Sequence, residues 1–149
     1  MKILLVEDDE FKAADLGAII LEVYRDACIE RAMSVTAALR WLSAQKFDVV
    51  LLDMSLPTFD MSGPGGGGSP QGQGGIEVLR LARRLHHISP FIIVTQYPDI
   101  ELEGRSLRLA DAPQILSKML GISIKSCILY ELDDDSWRRE LRIVLNTRR

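Results

Sequence analysis

Lys2-Ile3-Leu4-Leu5-Val6-Glu7-Asp8-Asp9-Glu10 opens the chain with an unbroken apolar run that stops on four acids. A continuous run of this kind suits a parallel strand buried on both faces, since a strand with one wet face alternates apolar and polar residues. The same design returns at Phe47-Asp48-Val49-Val50-Leu51-Leu52-Asp53 and at Phe91-Ile92-Ile93-Val94-Thr95. Weaker strands are read at Cys28 to Met33 and at Cys127 to Leu132.

Helical periodicity fills the gaps between these runs. Residues 10–25 read as a helix whose apolar side is drawn from Phe11, Ala14, Ala18, Leu21 and Val23. Ser34 is a plausible N-cap for a second helix, with Val35, Ala38, Leu39 and Leu42 at i, i+3, i+4, i+7. Residues 76–86 present Val78, Leu81, Ala82 and Leu85 on one face. Asp111 can cap a short helix that Gly121 ends, and a last helix from about Asp135-Ser136 buries Trp137, Leu141, Val144 and Leu145. Strands that alternate with helices make an α/β, doubly wound, five-stranded parallel sheet.

Two segments interrupt the pattern. Residues 60–75 carry eight of the eleven glycines and read as a flexible insertion, too polar to offset the entropy of ordering. They lack the Gly-Lys-Ser/Thr of a phosphate-cradling loop. Residues 96–110 read as a second insertion, a long connection. The whole of 1–149 is expected to be one domain.

Composition narrows the function. The chain has 149 residues, 47% apolar and 26% charged, with a net charge of -3. Nucleic-acid binders carry a basic patch or stripe, and the arginines near the C-terminus read as a solvated helix face, so no direct nucleic-acid contact is expected. No run approaches the roughly 18 apolar residues of a membrane span, and the short apolar start lacks a signal-peptide cleavage site. Cys28 and Cys127 lack metal-ligand spacing and read as buried thiols in a reducing, cytoplasmic setting.

Right-handed crossovers put the C-terminal ends of all parallel strands on one edge, where such sheets bind ligands. Glu7-Asp8, Asp53 and Thr95 stand at the ends of the first, third and fourth strands. Carboxylates gathered there repel one another and call for a cation, and oxygen-only ligands suit Mg2+. An aspartate so neutralised can attack a phosphoryl group, and the Thr95 hydroxyl can bond the added oxygens. Any one of these residues alone would read as a cap or turn former; their occurrence at three strand ends points to chemistry.

The opening strand with Glu7-Asp8-Asp9, the run Phe47 to Pro57 around Asp53, and Ile92-Ile93-Val94-Thr95 together resemble response-regulator receiver domains over essentially the whole chain. The resemblance implies a (βα)5 flavodoxin-like receiver fold with strand order 2-1-3-4-5. It further implies Asp53 as phosphoacceptor and Thr95 as switch hydroxyl. Glu7 and Asp8 would form the acidic metal pair, Asp8 ahead of Glu7 as direct ligand, with the Ser55 backbone carbonyl completing it. The implied partners are a histidine kinase or phosphotransfer protein and a downstream protein, a homodimer included. The implied activity is at most phosphoryl acceptance and slow self-dephosphorylation, without substrate turnover.

Three departures stand against that pattern. The lysine that normally ends the fifth strand is absent, and Glu131 falls about where it belongs. Lys125 precedes that point by about six residues, roughly 20 Å of strand, at the wrong edge. Ile128 replaces the aromatic switch residue, and Gln96 replaces the small residue after Thr95. These departures favour an alternative, a pseudo-receiver that binds a partner without phosphorylation; the acids and Thr95 oppose it. A flavodoxin-like cofactor binder or small phosphatase would need a phosphate loop where this chain has three acids after its first strand.

Overall fold

A computed structural model describes residues 1–59 and 74–147. Its main sheet is parallel and built from β1 (Lys2–Val6), β2 (Cys28–Ala32), β3 (Val49–Leu52), β4 (Phe91–Thr95) and β7 (Ile124–Leu129), in the order β2-β1-β3-β4-β7. With β7 as fifth parallel strand, this is the expected order. Ile3 pairs with Val49 and Leu52 with Ile93, and every residue of β3 and β4 is buried, as strands covered on both faces must be.

Helices α1 (Glu10–Val23) and α5 (Ser136–Asn146) cover one face, and α2 (Val35–Ala44), α3 (Gly74–Arg84) and α4 (Ala112–Leu120) the other. The Ser34 side chain caps α2 by accepting from the Ala37 N–H at 3.1 Å. Gly121 ends α4 in the left-handed conformation (φ 67°). Asp111 precedes α4 but makes no side-chain cap; it pairs instead with Arg108.

The structure corrects several expectations. Residues 96–110 are not a plain connection: Asp99–Leu102 (β5) and Arg105–Arg108 (β6) form an antiparallel hairpin. Its inward residues Ile100, Leu102 and Leu107 join the core of the α3–α4 face. Of the glycine-rich stretch, residues 60–73 lie outside the described residues, whereas Gly74 and Gly75 begin α3. Both are buried there, and the Gly75 N–H donates to the Met54 carbonyl at 2.9 Å. The fifth parallel strand runs Ile124–Leu129, three residues earlier than expected. Cys28 is exposed and Cys127 half-buried, not buried thiols.

The largest correction concerns α1. Its buried residues are Lys12, Ala13, Leu16, Ile19 and Ile20. Phe11, at 83% exposure, and Leu21 point to solvent. Ala14 and Ala18 are exposed as well, and of the expected apolar side only Val23 packs against the core.

Candidate functional site

The strand ends that position the site are tied to one another by backbone bonds. The Glu7 N–H donates to Ala32 O and the Asp53 N–H to Val6 O, both at 3.0 Å, and the Tyr130 N–H donates to Thr95 O at 2.8 Å. The predicted acids therefore converge. Carboxylate oxygens of Glu7, Asp8 and Asp53 all lie within 4.8 Å of one another. Glu7 and Asp53 are buried, at 2% and 7% exposure, and Asp8 is half-buried.

Burial of two carboxylates in one pocket disfavours their charged forms. It pushes the Glu7 carboxyl up to about 7, with Asp53 as a lesser contributor. Burial raises Asp53 as well, and neighbouring Asp8 adds to the rise. Both shifts are opposed by one cation.

That cation is Lys12. Its Nζ lies 2.8 Å from Glu7 Oε1 and 3.0 Å from Asp53 Oδ1, and donates to the Val94 carbonyl at 2.7 Å. The side chain is 2% exposed. Asp9 fixes the first turn of α1 by accepting from the Lys12 N–H at 2.9 Å. The Tyr130 ring lies beneath the ammonium, 5.6 Å from centroid to Nζ. Tyr130 is itself held by its hydroxyl on Asp15 Oδ2 at 2.7 Å and by the Trp137 ring at 4.8 Å.

Thr95 is fully buried at the end of β4, and its hydroxyl accepts from the Tyr97 N–H at 3.2 Å. Ser55 is half-buried two residues beyond Asp53. Ile128, at 0% exposure, is locked in the α1–α5 core.

Beside this geometry stand the relatives. The chain is 31% identical over 141 residues to the Detocs response regulatory protein DtcB of Vibrio alginolyticus, covering 93% of this chain and 95% of that one. To the protein of the same name from Enterobacter cloacae (strain JD6301) it is 30% identical over 146 residues, 95% of each. The chain belongs to the DtcB response regulatory family.

Receiver structures share the DtcB-family fold seen here. A CheY-like response regulator receiver domain protein from Methanospirillum hungatei JF-1 superposes with a TM-score of 0.58 at 21% identity, over 97% of this chain and 95% of that one. The receiver domain of a sensor histidine kinase from Pseudomonas aeruginosa PAO1, solved with a magnesium ion coordinated in its active site cleft, gives 0.55 at 19%, over 98% of each. No family model matches the chain.

For a DtcB-family receiver the informative residue is the one that sequence reading passed over. Lys12 lies on the stripe 12, 13, 16, 19, 20, and that stripe is legible only once a lysine is allowed on it. The apolar residues on the opposite side, Phe11, Ala14, Ala18 and Leu21, make a rival stripe of equal weight. Charge carries the missing signal: four consecutive acids, Glu7 to Glu10, with one lysine in the first turn of the following helix. Glu131 also needs correction. It is exposed, and the last buried residue of that strand end, facing Lys12, is Tyr130.

Proposed function

We propose that this receiver accepts a phosphoryl group on Asp53 and signals through protein contacts. The observation that carries the reading is the setting of Asp53, a buried carboxylate at a strand end, between two further acids and an ammonium. Glu7, Asp8, Asp53 and the Ser55 carbonyl make an oxygen-only donor set that fits Mg2+. Glu7 Oε1 has no donor aligned with it as a hydrogen bond although the ammonium is close. Both Glu7 oxygens face protein groups, Oε1 the Lys12 ammonium and Oε2 the Asp9 N–H, whereas Lys12 takes only Oδ1 of Asp53, so Asp8 and Asp53 keep oxygens for direct ligation. When bound, the ion neutralises and orients phosphoryl oxygens.

Asp53 is the nucleophile, and Thr95 supplies the switch hydroxyl once it lets go of the Tyr97 N–H. The donor is a histidine kinase or phosphotransfer protein. Phe11, Phe59 and Tyr97 are exposed in the segments that follow β1, β3 and β4, apolar side chains available to a protein partner. Among the described residues no helix is long and apolar enough to cross a membrane. The 1–149 span acts as one receiver unit.

Incubation with Mg2+ and a small-molecule phosphodonor, read by mass spectrometry, should add one phosphoryl group to the wild type and none to Asp53→Asn. Mg2+ alone should raise the melting temperature by binding the native state, and Asp53→Asn should diminish that rise. A second reading is favoured by the Lys12–Asp53 contact itself: a closed ion pair in a module that works unphosphorylated. No phosphoryl gain at any donor concentration would select it.

A further inference from the structure

We propose that Lys12 is the cation that grips the phosphoryl group on Asp53, so that the pocket's positive charge comes from the first helix instead of a strand end. This rests on Asp53 being the acceptor.

A lysine near the start of a helix can ordinarily reach water with its ammonium while its stem covers apolar surface. Lys12 does the reverse and is 2% exposed. Burying an ammonium is costly unless its partners are well placed. Its partners are one carboxylate oxygen each of Glu7 and Asp53 and the Val94 carbonyl, at 2.7 to 3.0 Å. Counter-charge for Glu7 alone would not require Nζ to reach Asp53 as well. Among the described residues Lys12 is the one buried cation. Lys125 spends its Nζ on the Thr147 carbonyl instead.

In the transfer an Asp53 carboxylate oxygen attacks phosphorus and a P–O bond forms. The P–N bond of a phosphoramidate donor breaks, and its electron pair leaves with nitrogen, which takes a proton from solvent. Lys12 keeps all its protons. Asp53 loses its negative charge on becoming an acyl phosphate, while the phosphoryl oxygens bring about two negative charges. The N–H that served Asp53 then turns to a phosphoryl oxygen. The Asp9 cap and the Tyr130 ring hold the ammonium at that point.

The test compares wild type, Lys12→Met, Glu7→Gln and the double variant. Four quantities are read: melting temperature, Mg2+ affinity by calorimetry, and, at saturating Mg2+, beryllofluoride affinity and phosphoramidate-driven phosphorylation. Lys12→Met should weaken beryllofluoride binding and slow phosphorylation at least about tenfold, the order expected when a charge-assisted hydrogen bond is lost. Its Mg2+ affinity should rise, because the pocket becomes more negative. A merely structural lysine would weaken both ligands together, and that result overturns the proposal. Should Lys12→Met not fold, the double variant, which removes one charge of each sign, decides. Acceptance equal to that of Glu7→Gln alone would reduce Lys12 to a counter-ion of Glu7 and overturn its phosphoryl role; acceptance at least about tenfold lower supports it. If the wild type binds Mg2+ yet neither beryllofluoride nor phosphoryl, the Asp53 reading falls first and this one with it.

Discussion

The two halves of the site edge are built on different terms. The half made by β1 and β3 carries its chemistry on the strands themselves, with Glu7, Asp8 and Asp53 at consecutive neighbouring ends. The half made by β4 and β7 contributes Thr95 and, where a cation is expected, the aromatic ring of Tyr130. The positive charge arrives from across the pocket, on α1. A pocket of buried acids needs a cation at a point in space, and any element that reaches the point can supply it. Strand ends fix where charge is needed; they do not fix which element provides it.

The heaviest blow to this contrast is removal of that cation. Lys12→Met leaves Glu7 and Asp53 buried without their shared partner, and breaking a buried pair in this way costs about 3–5 kcal/mol. Urea unfolding without metal should show a loss of that order, and Glu7→Gln in the same chain should return part of it. Loss below about 1 kcal/mol would mean that the ammonium is dispensable to the pocket and water takes its place.

A pH series sharpens the same point from the acid side. The folded-state value of Glu7 is raised from 4.5 to about 7 by burial, so the native state holds this proton more tightly than the unfolded chain does. Its stabilising contribution is full below about pH 4.5 and is lost as pH rises through about 7. Without metal, the melting temperature of the wild type should therefore fall over that window more than that of Glu7→Gln. Mg2+ should blunt the fall, since it favours the ionised acids. Parallel pH curves for the two proteins would place Glu7 in water.

Much of this was legible in the sequence. The apolar runs at 3–6, 49–52 and 91–94 are unambiguous, and three strand ends bearing acids and a hydroxyl gave the site's acidic side. Two parts were not. On α1, apolar residues populate both sides of the helix, so periodicity has no clear preference. A rule that keeps charges off core positions then excludes the stripe that contains Lys12. In 99–108, alternation of Ile100 and Leu102 with acids, followed by Glu103-Gly104 and then Leu107, is a hairpin pattern. It was hidden by its high charge, because only one side of each strand meets the core.

The first turn of α3 tests how tightly the Asp53 end of β3 is gripped from the other face. A Cβ on Gly75 would stand 2.3 Å from Met54 Cε, 2.6 Å from Asp53 O and 2.7 Å from Met54 Cα. The methionine tip can move away, but the backbone of 53 and 54 cannot without shifting Asp53. Gly75→Ala should cost about 1–3 kcal/mol, as overpacking does, and should also shrink the Mg2+-dependent gain in melting temperature. Stability lost with the full metal gain retained would show that α3 and Asp53 move independently.

The smallest effect belongs to the hairpin tip, the part of the β4 side most remote in design from the Lys12 pocket. Glu103 and Gly104 both have positive φ, 50° and 78°, and they join two antiparallel strands with Leu102 opposite Arg105. Two residues with positive φ in a two-residue loop make the type I′ turn, whose favoured sequence is Asn-Gly. Glutamate pays for this conformation through its Cβ, whereas asparagine enters the left-handed region more readily. Against that gain stands the Arg80–Glu103 ion pair, 3.4 Å apart and exposed on both sides, worth roughly 0–1 kcal/mol. Glu103→Asn should consequently change stability by no more than about 0.5 kcal/mol at low salt, where the two effects oppose. At about 1 M salt the screening length falls to about 3 Å, the ion pair fades, and the turn preference remains. Urea midpoints measured at both ionic strengths should then show Glu103→Asn becoming the more stable protein as salt rises, with phosphoryl acceptance unchanged. A variant that loses more than about 1 kcal/mol at high salt, beyond any ion pair left to lose, would mean that the turn depends on a contact of Glu103 other than Arg80.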